Sequence, residues 1–217
     1  MKYSPIRAQS IDALKDVEEW VYITEITVGT PPQSFRVLLS ISDSDILLPS
    51  DLCDFTCEDH HRYQSKLSST YVPNGTTLGR YYVRFSASGV VSQDTVRIAG
   101  IEIKNVSFAQ ANGMYRSGDG RAIGLGDNNW DGILGLAPYA NISPNNPYFP
   151  ADLDDPFLSM VSKELLDKNV FGLKLSRGMD DPGEIMFGGV NTELFEGELR
   201  TMPLLNNSDD RHLIRGR

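Results

Sequence analysis

Two groups of residues in this 217-residue chain have types and spacing that could do chemistry. Asp43-Ser44-Asp45 places two carboxylates close together, a few residues after Ser40. Paired carboxylates are the material of general acid–base hydrolysis, one ionised and one protonated. Taken alone, however, so short a run of Asp and Ser between two apolar runs reads as a solvated turn. Cys53 and Cys57 form the second group. A metal site asks for further ligands, and a redox pair asks for two intervening residues where this chain has three. His60 and His61, just beyond Cys57, keep a Cys/His zinc site open as one reading.

The elements around the acids carry a longer pattern. Phe35-Arg36-Val37-Leu38-Leu39-Ser40-Ile41-Ser42-Asp43-Ser44-Asp45-Ile46-Leu47-Leu48-Pro49-Ser50 resembles the first active-site segment of pepsin-like aspartic peptidases. In that family an apolar strand runs into Asp-Thr-Gly-Ser, and a hydrophobic run ending in Pro-Ser follows. Counting back from Pro49 and forward from Phe35 puts the family's catalytic aspartate at Ser40, with no gap on either side. The family's Thr, which braces the two catalytic loops, falls on Ile41, and its Gly falls on Ser42. Shifting the register to make Asp43 or Asp45 catalytic breaks the spacing on both sides and lacks the glycine.

These replacements bear directly on mechanism. Aspartic peptidases use two carboxylates that share one proton, because like charges ~3 Å apart cannot both ionise. A serine hydroxyl is neither a base near working pH nor a partner in a shared acidic proton. The resemblance therefore implies an aspartic endopeptidase-family domain in which Ser40, at the degenerate catalytic position, cannot take the aspartate's role. No second catalytic loop is visible in the chain.

Further motifs extend the resemblance over roughly residues 22–204. Tyr22 to Gln33 looks like the entry hairpin, alternating and closed by a Gly/Pro turn. Cys53 and Cys57 look like the family's small disulfide loop, which presumes an oxidising compartment. Tyr63 to Tyr71 looks like the segment after it. Trp130-Asp131-Gly132-Ile133-Leu134-Gly135-Leu136-Ala137 is similar to the buried strand beside the active-site loop. Gly135 has two readings there, a member of the family's knot-like loop or a glycine packed closely on neighbouring backbone. The runs at 171–176, 184–189 and 195–199 look like strands closing the lobe.

The family's flap, a hairpin whose tyrosine covers the cleft, falls on Tyr82, with Tyr81 as the alternative. Val83, Arg84 and Phe85 stand at a tip that is usually glycine-bearing, and such residues stiffen a turn. Leu47 stands where a Trp commonly hydrogen-bonds the flap tyrosine, so that bond is lost. The resemblance implies a substrate cleft formed by Tyr82, Phe85, Ile41, Ser42 and Asp43.

The fold expected is all-β, a pepsin-like acid-protease barrel or sandwich of a single N-terminal lobe with one short helix. Alternating runs predict strands at 21–28, 35–39, 81–85, 90–98, 101–108, 171–175 and 184–187. Asp155-Pro156 predicts a helix start, with Leu158, Val161 and Leu165 on a core-facing stripe as far as Asn169. Residues 1–20 read as an N-terminal extension, 21–204 as the lobe and 205–217 as a polar tail.

Net charge is −9, which disfavours nucleic acid and anionic membrane surfaces as partners. No apolar run reaches the ~18 residues that span a bilayer. The start of the chain has no apolar core and does not read as a signal peptide. Asn74-Gly75-Thr76, Asn105-Val106-Ser107, Asn141-Ile142-Ser143 and Asn206-Asn207-Ser208 match the glycosylation pattern. By resemblance the chain is secreted or vacuolar and needs no cofactor or metal. Its implied partners are a peptide or protein ligand, a missing C-terminal lobe or a second copy of itself. Two alternatives stand beside the inactive lobe: an aspartic-type endopeptidase acting in proteolysis, and a truncated fragment of one.

Overall fold

The computed structural model describes residues 22–82, 85–116, 129–137, 153–175 and 183–200. The proposed extension at 1–20 and tail at 205–217 lie outside these residues.

Among the described residues, besides short 3-10 turns, there are nine strands and one α-helix: β1 (Ile23–Val28), β2 (Gln33–Ser40), β3 (Ile46–Pro49), β4 (Val72–Tyr81), β5 (Phe85–Ile98), β6 (Ile101–Arg116), β7 (Gly132–Gly135), α1 (Pro156–Ser162), β8 (Phe171–Lys174) and β9 (Glu184–Phe187). β1 to β7 form one sheet in the order β1-β2-β7-β3-β6-β5-β4, and β1 also pairs with β5. That extra pairing, Ile26 opposite Ile98, closes six strands into a barrel-like ring and leaves β4 on the outside. β8 and β9 form a separate antiparallel pair. The fold is the all-β pepsin-like lobe that the motifs implied.

Each strand follows from its pattern. β1 alternates from Glu25 onward, with Glu25 exposed and Ile26 and Val28 buried in one core cluster, while Ile23 is buried on the opposite face. Gly29, at φ 94°, then turns the chain through a cis Thr30–Pro31 bond into β2. β3 and β7 are buried at every position. They lie between two packed faces, so their side chains feed two clusters: Ile46, Leu48 and Leu134 join one, Leu47 and Ile133 the other. Polar order supports the first cluster. Asp94 accepts hydrogen bonds from the buried Tyr63 hydroxyl, from Thr70 Oγ1 at 2.5 Å and from Thr95 N at 2.7 Å, tying segment 63–71 to β5. Its satisfaction by three donors makes a buried carboxylate tolerable.

Four expectations need correction. The helix stops at Ser162 rather than Asn169, because Glu164 adopts φ 54° and Leu165 N then reaches back to Met160 O at 3.0 Å, closing the helix end. Asp155 caps its start as expected, accepting from Leu158 N at 2.9 Å. The stripe, however, faces outward: Leu158 is 45% and Leu165 37% exposed, while Pro156, Ser159 and Met160 are buried. Phe157 sets that phase by packing edge-on against Phe171, with ring centroids 5.1 Å apart, and beside Phe187. Residues 81–85 do not run as one strand. β4 ends at Tyr81 and β5 begins at Phe85, so the chain reverses between them. Residues 195–199, expected to close the lobe, form no strand.

β7 lies against the chain from Asp43 to Leu48 at contact distance. A Cβ on Gly132 would stand 2.1 Å from the Leu47 carbonyl oxygen, and one on Gly135 would stand 2.4 Å from that of Asp43. Neither neighbour is a side chain that can swing aside. Gly132→Ala should therefore lower the unfolding free energy by about 1–3 kcal/mol or more in urea titrations. Gly79→Ala, where the added carbon meets nothing within 4 Å, should change it by less than about 0.5 kcal/mol.

Candidate active site

β2 carries Ser40 into the centre of the sheet. On one side it pairs antiparallel with β1, and on the other it runs parallel to β7 with Ser40 opposite Gly135. Leu136 N donates to the Ser40 carbonyl at 2.8 Å, fixing the strand's end. The chain then loops through Ile41 to Asp45 into β3. Ala137 N donates to Asp43 O, and Gly135 N to Asp45 O, both at 2.9 Å. The absence of a side chain at Gly135 lets the loop sit this close, which favours the packing reading of that residue.

Within the loop the Ser40 hydroxyl is fully engaged. It donates to Asp43 Oδ2 at 2.8 Å and accepts from Ser42 N at 3.2 Å and Asp43 N at 3.1 Å. One donor and two lone pairs are all that a hydroxyl has. The group therefore acts as a local cap on the turn. Ile41, 51% exposed, and Ser42 stand at the loop's crest.

Asp43 and Asp45 are not in a solvated turn: both are buried. The reason lies on β4, where Leu78, Arg80 and Tyr82 point inward and Gly79 and Tyr81 point outward. Arg80 is buried beneath the loop, and its guanidinium Nη1 makes a direct ion pair with Asp45 Oδ1. Its Nη2 lies 3.9 Å from Asp43 Oδ1, and its Cζ lies 4.7 Å from the centre of the Tyr82 ring. The Tyr82 hydroxyl donates to Asp45 Oδ2 at 2.9 Å. Tyr82 thus finds a carboxylate partner although Leu47 offers it none. Burial pushes the Asp45 carboxyl up against the opposing pull of Arg80 and the Tyr82 hydroxyl. Burial likewise raises Asp43, against the Ser40 hydrogen bond and Arg80. Tyr82 rises well above its ordinary value through burial and the adjacent Asp45 charge.

Of the residues assigned to the catalytic position and the cleft, the structure brings Ser40, Asp43 and Tyr82 to one network through Arg80 and Asp45. Tyr82 is 5% exposed, whereas Tyr81, its alternative, is 68% exposed. Phe85 opens β5, but its side chain, like Val83 and Arg84, lies outside the described residues. Arg80 and Asp45 were missed as a pair. The signal available was the parity of Arg80 with Leu78 and Tyr82, since a cation on an inward strand position needs a buried acid.

Cys53 and Cys57 are joined by a disulfide around a 3-10 turn, Phe55–Cys57, so neither offers a thiolate to zinc. Arg62 braces this loop, its guanidinium donating to the carbonyls of Cys53, Asp54 and Cys57. His60 and His61 turn instead to Asp131, with Nδ1 atoms 3.6 and 3.4 Å from its oxygens. No group of three metal-binding side chains occurs among the described residues.

Asp131 also accepts from Arg36 N and His61 N, each at 2.9 Å, linking β2 and the histidine turn to the entry of β7. Burial opposes its ionisation, but hydrogen bonds from His60 and these backbone amides outweigh it and hold the carboxyl below the usual range. A depressed folded pKa stabilises the fold above the unfolded value of about 3.9 and loses that contribution as pH falls through the folded value. Asp131→Asn should cost about 1–3 kcal/mol near pH 6. In urea titrations repeated down the pH scale, the gap between variant and wild type should narrow below about pH 4.

Comparison with known proteins matches these observations. Residues 21–212 match the model of the eukaryotic aspartyl protease family. The chain is 40% identical over 184 residues to vacuolar protease A of Neurospora crassa, covering 84% of this chain and 43% of that protein. It is 33% identical over 211 residues to cathepsin D of Dictyostelium discoideum, covering 95% and 52%. Human cathepsin D is 36% identical over 204 residues, covering 87% and 46%. The chain spans about half the length of the curated relatives it matches. With a pepsin-like barrel, a loop framed by β2 and β7, and this similarity along its length, the chain belongs to the eukaryotic aspartyl protease family.

Proposed function

We propose that this chain is a non-catalytic lobe of the family, one that keeps the frame of the active-site loop without its acid–base chemistry. The observation that carries the reading is Ser40. It stands where the resemblance sets the catalytic aspartate, and its hydroxyl is consumed by Ser42 N, Asp43 N and Asp43 Oδ2. Hydrolysis by this family's mechanism needs a carboxylate there that can take a proton from water. The nearby carboxylates are engaged elsewhere, Asp43 with Ser40 and Asp45 with Arg80 and Tyr82.

What remains for such a lobe is binding of a peptide or protein partner. The exposed crest at Ile41 and Ser42 supports that role better than Tyr82, whose hydroxyl is already spoken for. A secreted or vacuolar setting fits the Cys53–Cys57 disulfide, which persists in oxidising surroundings. It also fits the names of the relatives, vacuolar protease A among them.

Two measurements test these readings. Folded, monodisperse protein incubated with a denatured protein substrate between about pH 3 and 6 should give no cleavage, since proton sharing between two carboxylates is absent. Cleavage that a pepsin-type inhibitor blocks and Ser40→Ala abolishes would overturn the proposal. For the compartment, Asn74 is exposed at the irregularity of β4 between Pro73 and Thr77, where Thr76 Oγ1 donates to its Oδ1 at 2.6 Å. Protein passed through a eukaryotic secretory pathway should lose mass with an N-glycosidase, and Asn74→Gln should remove one glycan's share of that loss.

A further inference from the structure

We propose that Arg80, Asp45 and Tyr82 form a buried latch that pins the end of β4 to the Ser40 loop, filling with the chain's own side chains the space beneath the hairpin. The inference takes from the proposed function only the identity of this loop and hairpin. It does not depend on whether the chain cleaves peptides.

Among the described residues β4 is the outer strand, pairing with β5 along one edge through Gly79, Arg80 and Tyr81 opposite Ser88, Ala87 and Ser86. Phe85, where β5 begins, pairs with Arg116 of β6. Inward side chains add a second set of contacts to this strand pairing. Asp45 divides its two oxygens between two residues of the hairpin, Oδ1 to the Arg80 guanidinium and Oδ2 to the Tyr82 hydroxyl. Arg80 closes the triangle by lying over the Tyr82 ring and leaning towards Asp43.

On its other side the latch stands on a rigid base. The carbonyls of Asp43 and Asp45 receive Ala137 N and Gly135 N, so both acids are tied to β7 and its exit. Lifting the end of β4 would part a buried ion pair, an aromatic–guanidinium contact and a hydrogen bond together. Each member removed takes away two of the three contacts and leaves the other two residues buried with fewer partners, so the three should open as one unit.

Amide hydrogen exchange read by mass spectrometry tests this on the intact chain. Tyr82→Phe deletes one oxygen and keeps the ring, and Asp45→Asn removes the charge. Each should speed exchange of the amides of residues 78–82 about tenfold or more, while Ile26–Val28 in β1 changes less than about twofold. The two substitutions together should be little faster than the faster single, because they break the same unit. Should Asp45→Asn fail to fold, Arg80→Lys takes its place, since an ammonium cannot reproduce the flat guanidinium over the ring. Unchanged exchange at 78–82 in the singles, effects that multiply independently, or equal acceleration in β1 would overturn the latch. Such a result would leave the cleavage experiment untouched, and cleavage would equally leave the latch standing.

Discussion

The loop after β2 keeps its form because β7 gives it no side chains to avoid. Gly132 and Gly135 let the backbone from Asp43 to Leu48 lie at a distance that any Cβ would forbid. The parallel register of β2 with β7 and the two amides donated to Asp43 and Asp45 follow from that approach. Shape and chemistry are therefore separable here. The strands that present the loop need small residues and apolar faces, and they ask nothing of the side chain at Ser40. Ser40 itself caps its own turn, accepting from Ser42 N and Asp43 N.

Charge beneath the loop follows a different constraint. A buried guanidinium and two buried carboxylates carry a desolvation penalty that only close pairing offsets. The fold meets it by converging them, so that Arg80 serves Asp45 directly and Asp43 at longer range. An apolar trio of equal volume would pack there at no loss of stability on general grounds. What polar contacts add is direction: they admit one arrangement of hairpin and loop where a greasy contact would accept several.

Much of this architecture was legible from the residues. β1, β2 and the β5–β6 pair alternate with the period of a half-buried strand, and Asp155-Pro156 marked the helix start. β3 gave no such alternation, since both its faces are buried, and β7 was found only through its likeness to a family segment. The first part of β4 hid behind Val72-Pro73-Asn74-Gly75-Thr76-Thr77, a run that looks like a turn but serves as an outer strand interrupted between Pro73 and Thr77. Helix phase failed for a tertiary reason: the pull of Phe171 and Phe187 on Phe157 outweighed a stripe of three aliphatic residues. In the site, the frame around Ser40 was legible from its spacing. The partners of Asp45 were not, because they come from the end of β4, 37 residues on at Tyr82, and depend on which way that strand faces.

Arg62 changes the meaning of the small covalent ring beside it. Its guanidinium gathers three carbonyls of that ring, and Asp54 caps the turn inside it through Thr56 N. The outline of the ring is thus written twice, once in sulfur and once in hydrogen bonds. A reducing milieu would sever the first and leave the second in place. Thiols released at Cys53 and Cys57 would stay side by side, ready to close again without a search for one another.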